Sequence, residues 1–323
     1  MTVTMAAALN TALRDAMRED DSVVVYGEDV GRLGGVFRIT DGLQAEMGSD
    51  RCFDTPVAES GIVGTAVGMA LYGLRPVVEM QFDGFSYPAL DQVISHVAKY
   101  RNRTRGRIGL PMVVRIPYGG GIGAVEHHSE SPEAYYAHTA GLTVVSPGTP
   151  ADAYVLLRAA IEHPDPVVFL EPKRRYWMKE DVDLPVSGEP IGRALVRRAG
   201  STATLIAYGP MVPTALEAAA AAVADGWDLE VVDVRTLTPL DLDTLAGSVA
   251  KTGRAIVIHE APRFAGCGAE IAAAVTERVF GHLAAPVLRV SGFDLPYPPA
   301  KIEQHYLPSV DRILDAVAHA LEY

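Results

Sequence analysis

Cysteine and tryptophan are scarce in this sequence, and long apolar runs are missing. The chain has 323 residues, of which two are cysteines and two are tryptophans. Cys52 and Cys267 lie far apart and match no metal-ligand or redox spacing, so we expect no metal site and a reducing cytoplasmic location. No stretch approaches the roughly 20 apolar residues of a membrane-spanning helix. No secretion signal opens the chain either, so we expect no membrane association.

Positive charge is also in short supply. Lysine and arginine total 28 against 40 aspartates and glutamates, which gives a formal net charge of −12 at pH 7. A protein with this charge repels nucleic acids and anionic membranes, so we predict neither as a partner. The one dense basic stretch, residues 99–107, adjoins the end of a predicted helix, where positive charge complements the helix dipole.

Three common catalytic motifs are absent as well. The first predicted strand is not followed by the G-x-G-x-x-G motif of dinucleotide-binding proteins, and there is no P-loop. The nucleophile elbow G-x-S-x-G is missing too, because Glu59-Ser60-Gly61 lacks the leading glycine. These absences disfavour nicotinamide dehydrogenases, nucleotide hydrolases and serine hydrolases.

Short β-branched runs alternate with longer helical stretches, which is typical of parallel α/β sheets. Residues 174–191 interrupt the pattern with charges, prolines and a glycine, as linkers do. We therefore predict two parallel-sheet α/β domains, residues 1–185 and residues 186–323. The predicted helices lie at 4–19, 59–72, 88–103, 151–163, 211–225, 240–250, 267–280 and 309–321. The predicted strands lie at 22–26, 77–80, 112–116, 143–145, 167–170, 203–208, 229–233, 255–259 and 287–290.

Two acidic segments could carry chemistry. Glu28 and Asp29 follow the first predicted strand, at the sheet edge where ligands collect. On spacing alone, a loop pair that caps the next helix is the better interpretation of these two residues. Glu59 opens a nearly uncharged helix. It either favours the helix dipole, which is worth about 0.3–1 kcal/mol, or is buried and meets a ligand nitrogen.

A third segment combines glycines with histidines. Residues 119–121 are consecutive glycines after a predicted strand, and they permit close approach of the backbone to a ligand. His127 and His128 follow, but no third soft ligand stands at a diagnostic spacing, so a zinc site is disfavoured. A histidine that acts through its proton or donates a hydrogen bond fits better.

Small residues also occupy one face of the predicted helix 59–72. Gly61, Gly64, Thr65 and Gly68 lie on that face, and glycine inside a helix costs about 1 kcal/mol relative to alanine. That cost is understandable if another backbone approaches closely. From spacing alone, this face is equally suited to pack against a partner's backbone or against the chain's own sheet.

In this order, these segments resemble the E1 β subunits of 2-oxo acid dehydrogenase complexes over essentially the whole chain. Any single motif is weak, whereas the series is highly specific. Residues 131–134 and 171–173 look more like branched-chain members than pyruvate members. The motifs are Gly27-Glu28-Asp29-Val30, Gly34-Gly35-Val36-Phe37-Arg38, Phe53-Asp54-Thr55-Pro56, Glu59-x-Gly61-Ile62-Val63-Gly64, Gln81-Phe82, Asp91-Gln92-Val93, His128-Ser129-x-Ser131-Pro132-Glu133-Ala134, Phe169-Leu170-Glu171-Pro172-Lys173, Lys251-Thr252-Gly253-Arg254 and His259-Glu260-Ala261-Pro262.

The resemblance implies a transketolase-like fold, with a pyrimidine-binding domain followed by a smaller C-terminal α/β domain. It also implies an enzyme that uses thiamine diphosphate to decarboxylate a branched-chain 2-oxo acid oxidatively. The acyl group then passes to the lipoyl group of an acyltransferase (E2). Pyruvate and acetoin are the nearest alternative substrates. A non-catalytic subunit that only binds E2 is the alternative from another class.

The resemblance further assigns roles to individual residues. Glu59 matches the glutamate that meets N1′ of the cofactor's aminopyrimidine, where a shielded carboxyl group can share a proton with the ring. Glu28 matches an acidic residue of a proton relay. His128 matches a histidine at the channel mouth that positions the substrate or the lipoyl group. We thus expect Glu59, His128 and Glu28 to be catalytic, and Glu59, Phe85 and Val57 to bind the cofactor.

The family's diphosphate site is missing from this sequence. Relatives that hold the diphosphate do so through magnesium on a G-D-G…N segment, and no such segment occurs here. The resemblance therefore implies an E1 α subunit that supplies magnesium and the diphosphate site. It also implies an α2β2 heterotetramer that docks on E2. A self-sufficient transketolase-type enzyme conflicts with the missing motif.

Overall fold

The computed structural model describes residues 2–323, which form a seven-stranded sheet and a five-stranded sheet, both flanked by helices, and a small two-stranded sheet. The strands are β1 (Thr2–Thr4), β2 (Val23–Gly27), β3 (Cys52–Asp54), β4 (Arg75–Glu79), β5 (Val113–Tyr118), β6 (Thr143–Val145), β7 (Val167–Pro172), β8 (Lys179–Asp181), β9 (Leu195–Arg198), β10 (Ala203–Ala207), β11 (Leu229–Asp233), β12 (Thr236–Thr238), β13 (Ala255–Pro262) and β14 (Leu288–Gly292). The helices are α1 (Met5–Glu19), α2 (Leu43–Met47), α3 (Glu59–Tyr72), α4 (Leu90–Gln92), α5 (Tyr100–Arg103), α6 (Glu133–Ala137), α7 (Pro150–Glu162), α8 (Met211–Ala221), α9 (Leu242–Thr252), α10 (Cys267–Val279), α11 (Glu303–Tyr306) and α12 (Val310–Leu321).

The first sheet has the strand order β12-β6-β7-β5-β4-β2-β3, and all its neighbours are parallel except β12 and β6. Its central strands are buried on both faces, which explains their continuous apolar runs. Val23 and Val25 face α1 and α7, whereas Val24 and Tyr26 face α3. The two-residue period of a strand thus supplies one core on each side.

The second sheet has the order β14-β13-β10-β11-β9, with β9 antiparallel to its neighbour. The predicted fold class of two α/β domains built on parallel sheets is confirmed. One strand does not follow the division of the chain into two domains. Strand β12 comes after the first strands of the second sheet in the sequence, and yet it pairs antiparallel with β6 of the first sheet. The domain boundary near residue 185 stays a prediction; the chain between β8 and β9 contains it.

Most predicted elements agree with the structure to within a few residues, but the predicted helix 88–103 is wrong as a continuous helix. It begins with a 3-10 segment, Gly84–Ala89, which contains Pro88, and it continues through α4 into a π-helical segment, Val93–Val97. The interruption is the π-helical segment, in which the hydrogen bonds span five residues instead of four, so one regular α-helix does not run through residues 88–103. Within residues 2–323, no helix combines the length and apolar character needed to cross a membrane.

The order of the first sheet decides where functional groups can meet. Strands β2, β4 and β5 are consecutive neighbours and parallel, so their carboxyl ends share one edge. The loops that leave this edge contain Glu28, Phe85 and His128. The second domain closes against the same edge, where Gly120 beyond β5 bonds to Glu260 of β13.

Candidate active site

Two glutamates form a buried carboxyl pair at this edge. Glu28, directly after β2, is 4% exposed, and Glu59, the first residue of α3, is 7% exposed. Within residues 2–323, neither carboxylate oxygen of Glu28 has a hydrogen-bond partner. Burial raises the pKa of Glu28 to about 7, and the charges of Glu59 and Asp29 add to that shift. At that pKa the Glu28 carboxyl group stays partly protonated near neutral pH, beside Glu59.

Backbone and side-chain contacts fix the two members of this pair. The N–H of Thr55 donates to the carbonyl of Gly27 at 2.9 Å, which joins the turn before α3 to the end of β2. The hydroxyl of Tyr26 donates to the carbonyl of Ile62 at 3.0 Å, which joins β2 to the first turn of α3. The Phe53 ring stacks on Tyr26 with centroids 5.0 Å apart. These contacts place Glu59 beside Glu28 without a ligand.

An aromatic and histidine cluster lies on the loops that follow β4 and β5. The His128 ring stacks on Phe82 with centroids 4.1 Å apart, and Phe85 meets His128 edge-on at 5.1 Å. His127 adjoins the same cluster, 4.2 Å from His128. Gly84 permits this packing, because a Cβ there would overlap the carbonyl oxygen of His127.

The structure therefore joins the predicted site residues in two groups. Glu28 lies with Glu59, and Phe85 lies with His128. A hydrogen bond of 3.0 Å from Gln81 Nε2 to the carboxylate of Asp29 links the two loops that carry these groups. Ser60 of α3 also bonds to the carbonyl of Pro88, three residues beyond Phe85.

Val57 is the predicted site residue that stands apart from both groups. It is 76% exposed and lies two residues before Glu59. Its side chain is therefore outside the buried pair in the isolated chain.

The glycine loop behaves differently from the expectation. Residues 119–121 do permit close approach, but what approaches is the second domain. Gly120 has its N–H bonded to the Glu260 carboxylate, and a Cβ at Gly120 would overlap the Tyr297 ring. Gly121 donates its N–H to the Tyr297 hydroxyl at 3.0 Å. The expectation that these glycines approach a ligand is not supported, because Gly119 donates its N–H to Glu130 and groups of the second domain occupy the amides of Gly120 and Gly121.

Sequence reasoning missed the buried charges behind the site. Asp83 and Lys173 form a fully buried ion pair. Burial raises the pKa of Asp83 to about 6 and lowers the pKa of Lys173, while each charge opposes the shift of the other. Arg115 bonds to both Glu171 and Glu79 inside the first sheet. A charged residue within an apolar strand run, such as Arg115 in β5, is the signal that could have revealed this network.

Comparisons with known proteins bear on this geometry. The family model described as "Transketolase, pyrimidine binding domain" matches residues 1–178. The one described as "Transketolase, C-terminal domain" matches residues 192–313. The chain is 58% identical to the 3-methyl-2-oxobutanoate dehydrogenase subunit beta of Mycobacterium tuberculosis, over 99% of this chain and 92% of that protein. The chain belongs to the E1 β family of 2-oxo acid dehydrogenases.

Relatives of this chain are named for different substrates. The pyruvate dehydrogenase E1 component subunit beta of Leifsonia xyli subsp. xyli is 54% identical, over 99% of this chain and 95% of that protein. A solved structure titled "Split gene transketolase, inactive beta4 tetramer" superposes with a TM-score of 0.82 at 24% identity. The superposition covers 99% of this chain and 98% of that one. At that identity the likeness concerns the fold alone.

The family assignment confirms the E1 β resemblance read from the motifs. The family is associated with thiamine diphosphate, and its relatives are named as β subunits, so its members work within multi-subunit enzymes. The roles of Glu59, Glu28, His128, Phe85 and Val57 stay predictions.

Proposed function

We propose that this chain supplies the pyrimidine half of a thiamine-diphosphate site in a branched-chain 2-oxo acid dehydrogenase. An E1 α subunit supplies the magnesium and diphosphate half in an α2β2 heterotetramer, which transfers the acyl group to lipoyl-E2. The observation that carries this proposal is the Glu28–Glu59 pair: two buried carboxyl groups, one without a hydrogen-bond partner among the described residues.

The pair is suited to meet a basic ring nitrogen. Two adjacent carboxyl groups resist ionising together, and burial adds to this effect, so the pKa of Glu28 is raised to about 7 and Glu28 holds a proton for part of the time at neutral pH. Glu59, the first residue of α3, would share a proton with N1′ of the aminopyrimidine, and Glu28 would be the neighbouring acid that restores that proton to Glu59. When bound, thiamine diphosphate supplies the carbanion and the electron sink for decarboxylation.

The aromatic and histidine cluster is suited to two further roles, which are packing against the cofactor ring and positioning the substrate or the lipoyl group. Phe85 is half-buried and offers an apolar face for ring packing, without the hydroxyl that a tyrosine would add. His128 is stacked on Phe82, so its imidazole is held at one position on the loop. In this proposal His128 positions the substrate or the incoming lipoyl group, and Val57 covers the cofactor once the partner closes the site.

Exposed apolar residues on the loops around the site support a partner subunit. Val57, Val125 and Leu33 are 76%, 53% and 44% exposed. They lie on the loops that follow β3, β5 and β2, at the carboxyl edge of the first sheet, where a partner subunit could cover them. The sequence lacks a diphosphate motif, and these residues lie on loops at the same sheet edge as Glu28, so the E1 α subunit is the proposed partner.

The decisive test is Glu59→Gln in the enzyme reconstituted with its α subunit. A glutamine of the same shape cannot pass a proton, so we expect 2-oxo acid decarboxylation to fall about 100-fold or more. Glu126→Gln, an exposed carboxylate on the loop before His128, is the matched control and should retain activity. Full activity of Glu59→Gln would leave the non-catalytic E2-binding subunit as the better account.

A substrate panel tests the branched-chain assignment. The identities of 58% and 54% to relatives named for different substrates do not separate the two. We expect 3-methyl-2-oxobutanoate to give a higher kcat/KM than pyruvate or acetoin in the reconstituted enzyme. Equal or better turnover of pyruvate would overturn that assignment while leaving the site chemistry intact.

A further inference from the structure

His128 lies on a loop whose two ends meet. The N–H of Gly119 donates to the carbonyl of Glu130 at 2.8 Å, which closes residues 119–130 into a compact surface loop. Within it, the segment Glu126–His128 forms a 3-10 turn, and the N–H of His128 donates to the carbonyl of Val125 at 3.0 Å. A loop with so few internal hydrogen bonds takes its shape from the groups that hold it.

The second domain holds the first half of this loop. Glu303 accepts the N–H of Gly121 at 3.2 Å through one carboxylate oxygen and the N–H of Gly123 at 3.1 Å through the other. The Tyr297 hydroxyl donates to Glu303 at 3.0 Å and accepts a second bond from Gly121. Glu303 is 6% exposed, so these bonds are partly shielded from water.

The first domain holds the other end of the loop. One carboxylate oxygen of Asp83 accepts the N–H of Glu130 at 2.8 Å, and the other pairs with Lys173. Lys173 Nζ also lies 5.4 Å from the centroid of Phe82, the ring on which His128 stacks. The buried ion pair therefore fixes both the loop end and the surface beneath the imidazole.

We propose that Glu303 and Asp83 are positioning residues that clamp the loop 119–130 from opposite domains and thereby set the His128 imidazole against Phe82. The clamp acts through backbone amides, and bonds from N–H groups to a carboxylate are among the stronger hydrogen bonds in proteins. This proposal rests on the function proposed for His128, and it makes the second domain part of the catalytic geometry.

The first test measures the position of the imidazole without any catalysis. In the full-length chain with ¹³C-labelled histidines, the Phe82 ring current should shift the His128 Cε1–H resonance upfield. Glu303→Gln replaces one acceptor oxygen by an amide group that faces a backbone N–H, so we expect the resonance to move toward its unstacked position. An unmoved resonance would overturn the clamp whatever the role of His128.

The matched control is Glu230→Gln. Glu230 is also a buried carboxylate of the second domain, and it also accepts a glycine N–H, that of Gly200 at 3.2 Å. Its other partners are Ser248 and Lys251, remote in sequence from the loop. We expect this variant to lose stability comparably and to leave the His128 resonance in place; an equal shift would show that general loosening explains the effect.

The second test is a double-mutant cycle in the reconstituted enzyme with a lipoyl domain as acceptor. Glu303→Gln should lower kcat/KM about 10- to 100-fold, the scale of a misplaced catalytic group. In a His128→Ala background the same change should cost less than about twofold, because the residue that it positions is gone. An equal loss in both backgrounds would overturn the proposal.

A milder variant keeps the question open to test if Glu303→Gln does not fold. Tyr297→Phe removes only the hydroxyl that bridges Gly121 and Glu303. We expect the His128 resonance to move in the same direction as in Glu303→Gln, but by less. We also expect a smaller loss of kcat/KM, which again should nearly vanish in the His128→Ala background. If His128→Ala alone leaves activity unchanged, the proposed role of His128 fails, whereas the resonance experiment still decides the clamp.

Discussion

At the scale of single residues, the carboxyl pair makes protein stability depend on pH. The pKa of Glu28 is raised to about 7 in the folded chain, whereas an unfolded glutamate titrates near 4.3. A raised folded pKa means that the folded state favours the protonated form. The resulting stability is fully present below the unfolded pKa and is lost as the pH rises through about 7.

Glu28→Gln should therefore be more stable than the wild type at pH 8, because glutamine keeps the shape and cannot ionise. The advantage should shrink steadily as the pH falls from 7 toward 4. Thermal midpoints at several pH values would measure it, with Glu126→Gln as an exposed control. A difference between the variant and the wild type that stays constant with pH would contradict the raised pKa.

At the scale of elements, the glycines of α3 have free space around them in the isolated chain. From their spacing in the sequence, these glycines were equally suited to pack against a partner's backbone or against the chain's own sheet. A Cβ at Gly68 would meet nothing within 4 Å, and one at Gly61 would meet only Ala58. At these positions the chain's own sheet does not explain the glycine.

We expect opposite outcomes for two glycine-to-alanine changes. Gly68→Ala should stabilise the isolated chain by up to about 1 kcal/mol, because alanine favours the helix and nothing is in its way. Gly84→Ala should destabilise it, since the new methyl group would overlap the backbone of His127. Chemical unfolding of the two variants would compare them, and destabilisation by Gly68→Ala would show that this face is already packed in the isolated chain.

At the scale of the whole molecule, the two domains share apolar and hydrogen-bonded contacts. Tyr136 and Val114 of the first domain belong to the same buried apolar cluster as Tyr208, Val232 and Ile271 of the second. Strand β12 also covers the edge of β6 in the first sheet. Removal of the second domain exposes this shared surface and an unpaired strand edge.

A fragment of residues 1–185 should therefore unfold at a lower temperature than the full chain and should self-associate. Size-exclusion chromatography and circular dichroism melting would test both effects. An extended fragment that ends after β12 is the informative comparison, because it restores the strand edge of the first sheet but lacks β13 and β14 of the second. A monomeric fragment 1–185 that melts at the temperature of the full chain would contradict the shared core.

The sequence by itself determined the local pattern. The alternation of β-branched runs with helices predicts both sheets, because strand burial and helix periodicity are local properties of the chain. Helix α3 begins at Glu59 and ends at Tyr72, as predicted. The ordered motifs also sufficed for the family, since they combine residues from across the chain.

Only the tertiary structure decided which distant residues meet. The pairing of Asp83 with Lys173, the clamp of Glu303 on Gly121 and Gly123, and the return of β12 to the first sheet join segments far apart in sequence. No local period encodes these contacts, because the sheet order and the packing of one domain on the other create them. The raised pKa of Glu28 arises in the same way, from burial and a neighbouring charge that exist only after folding.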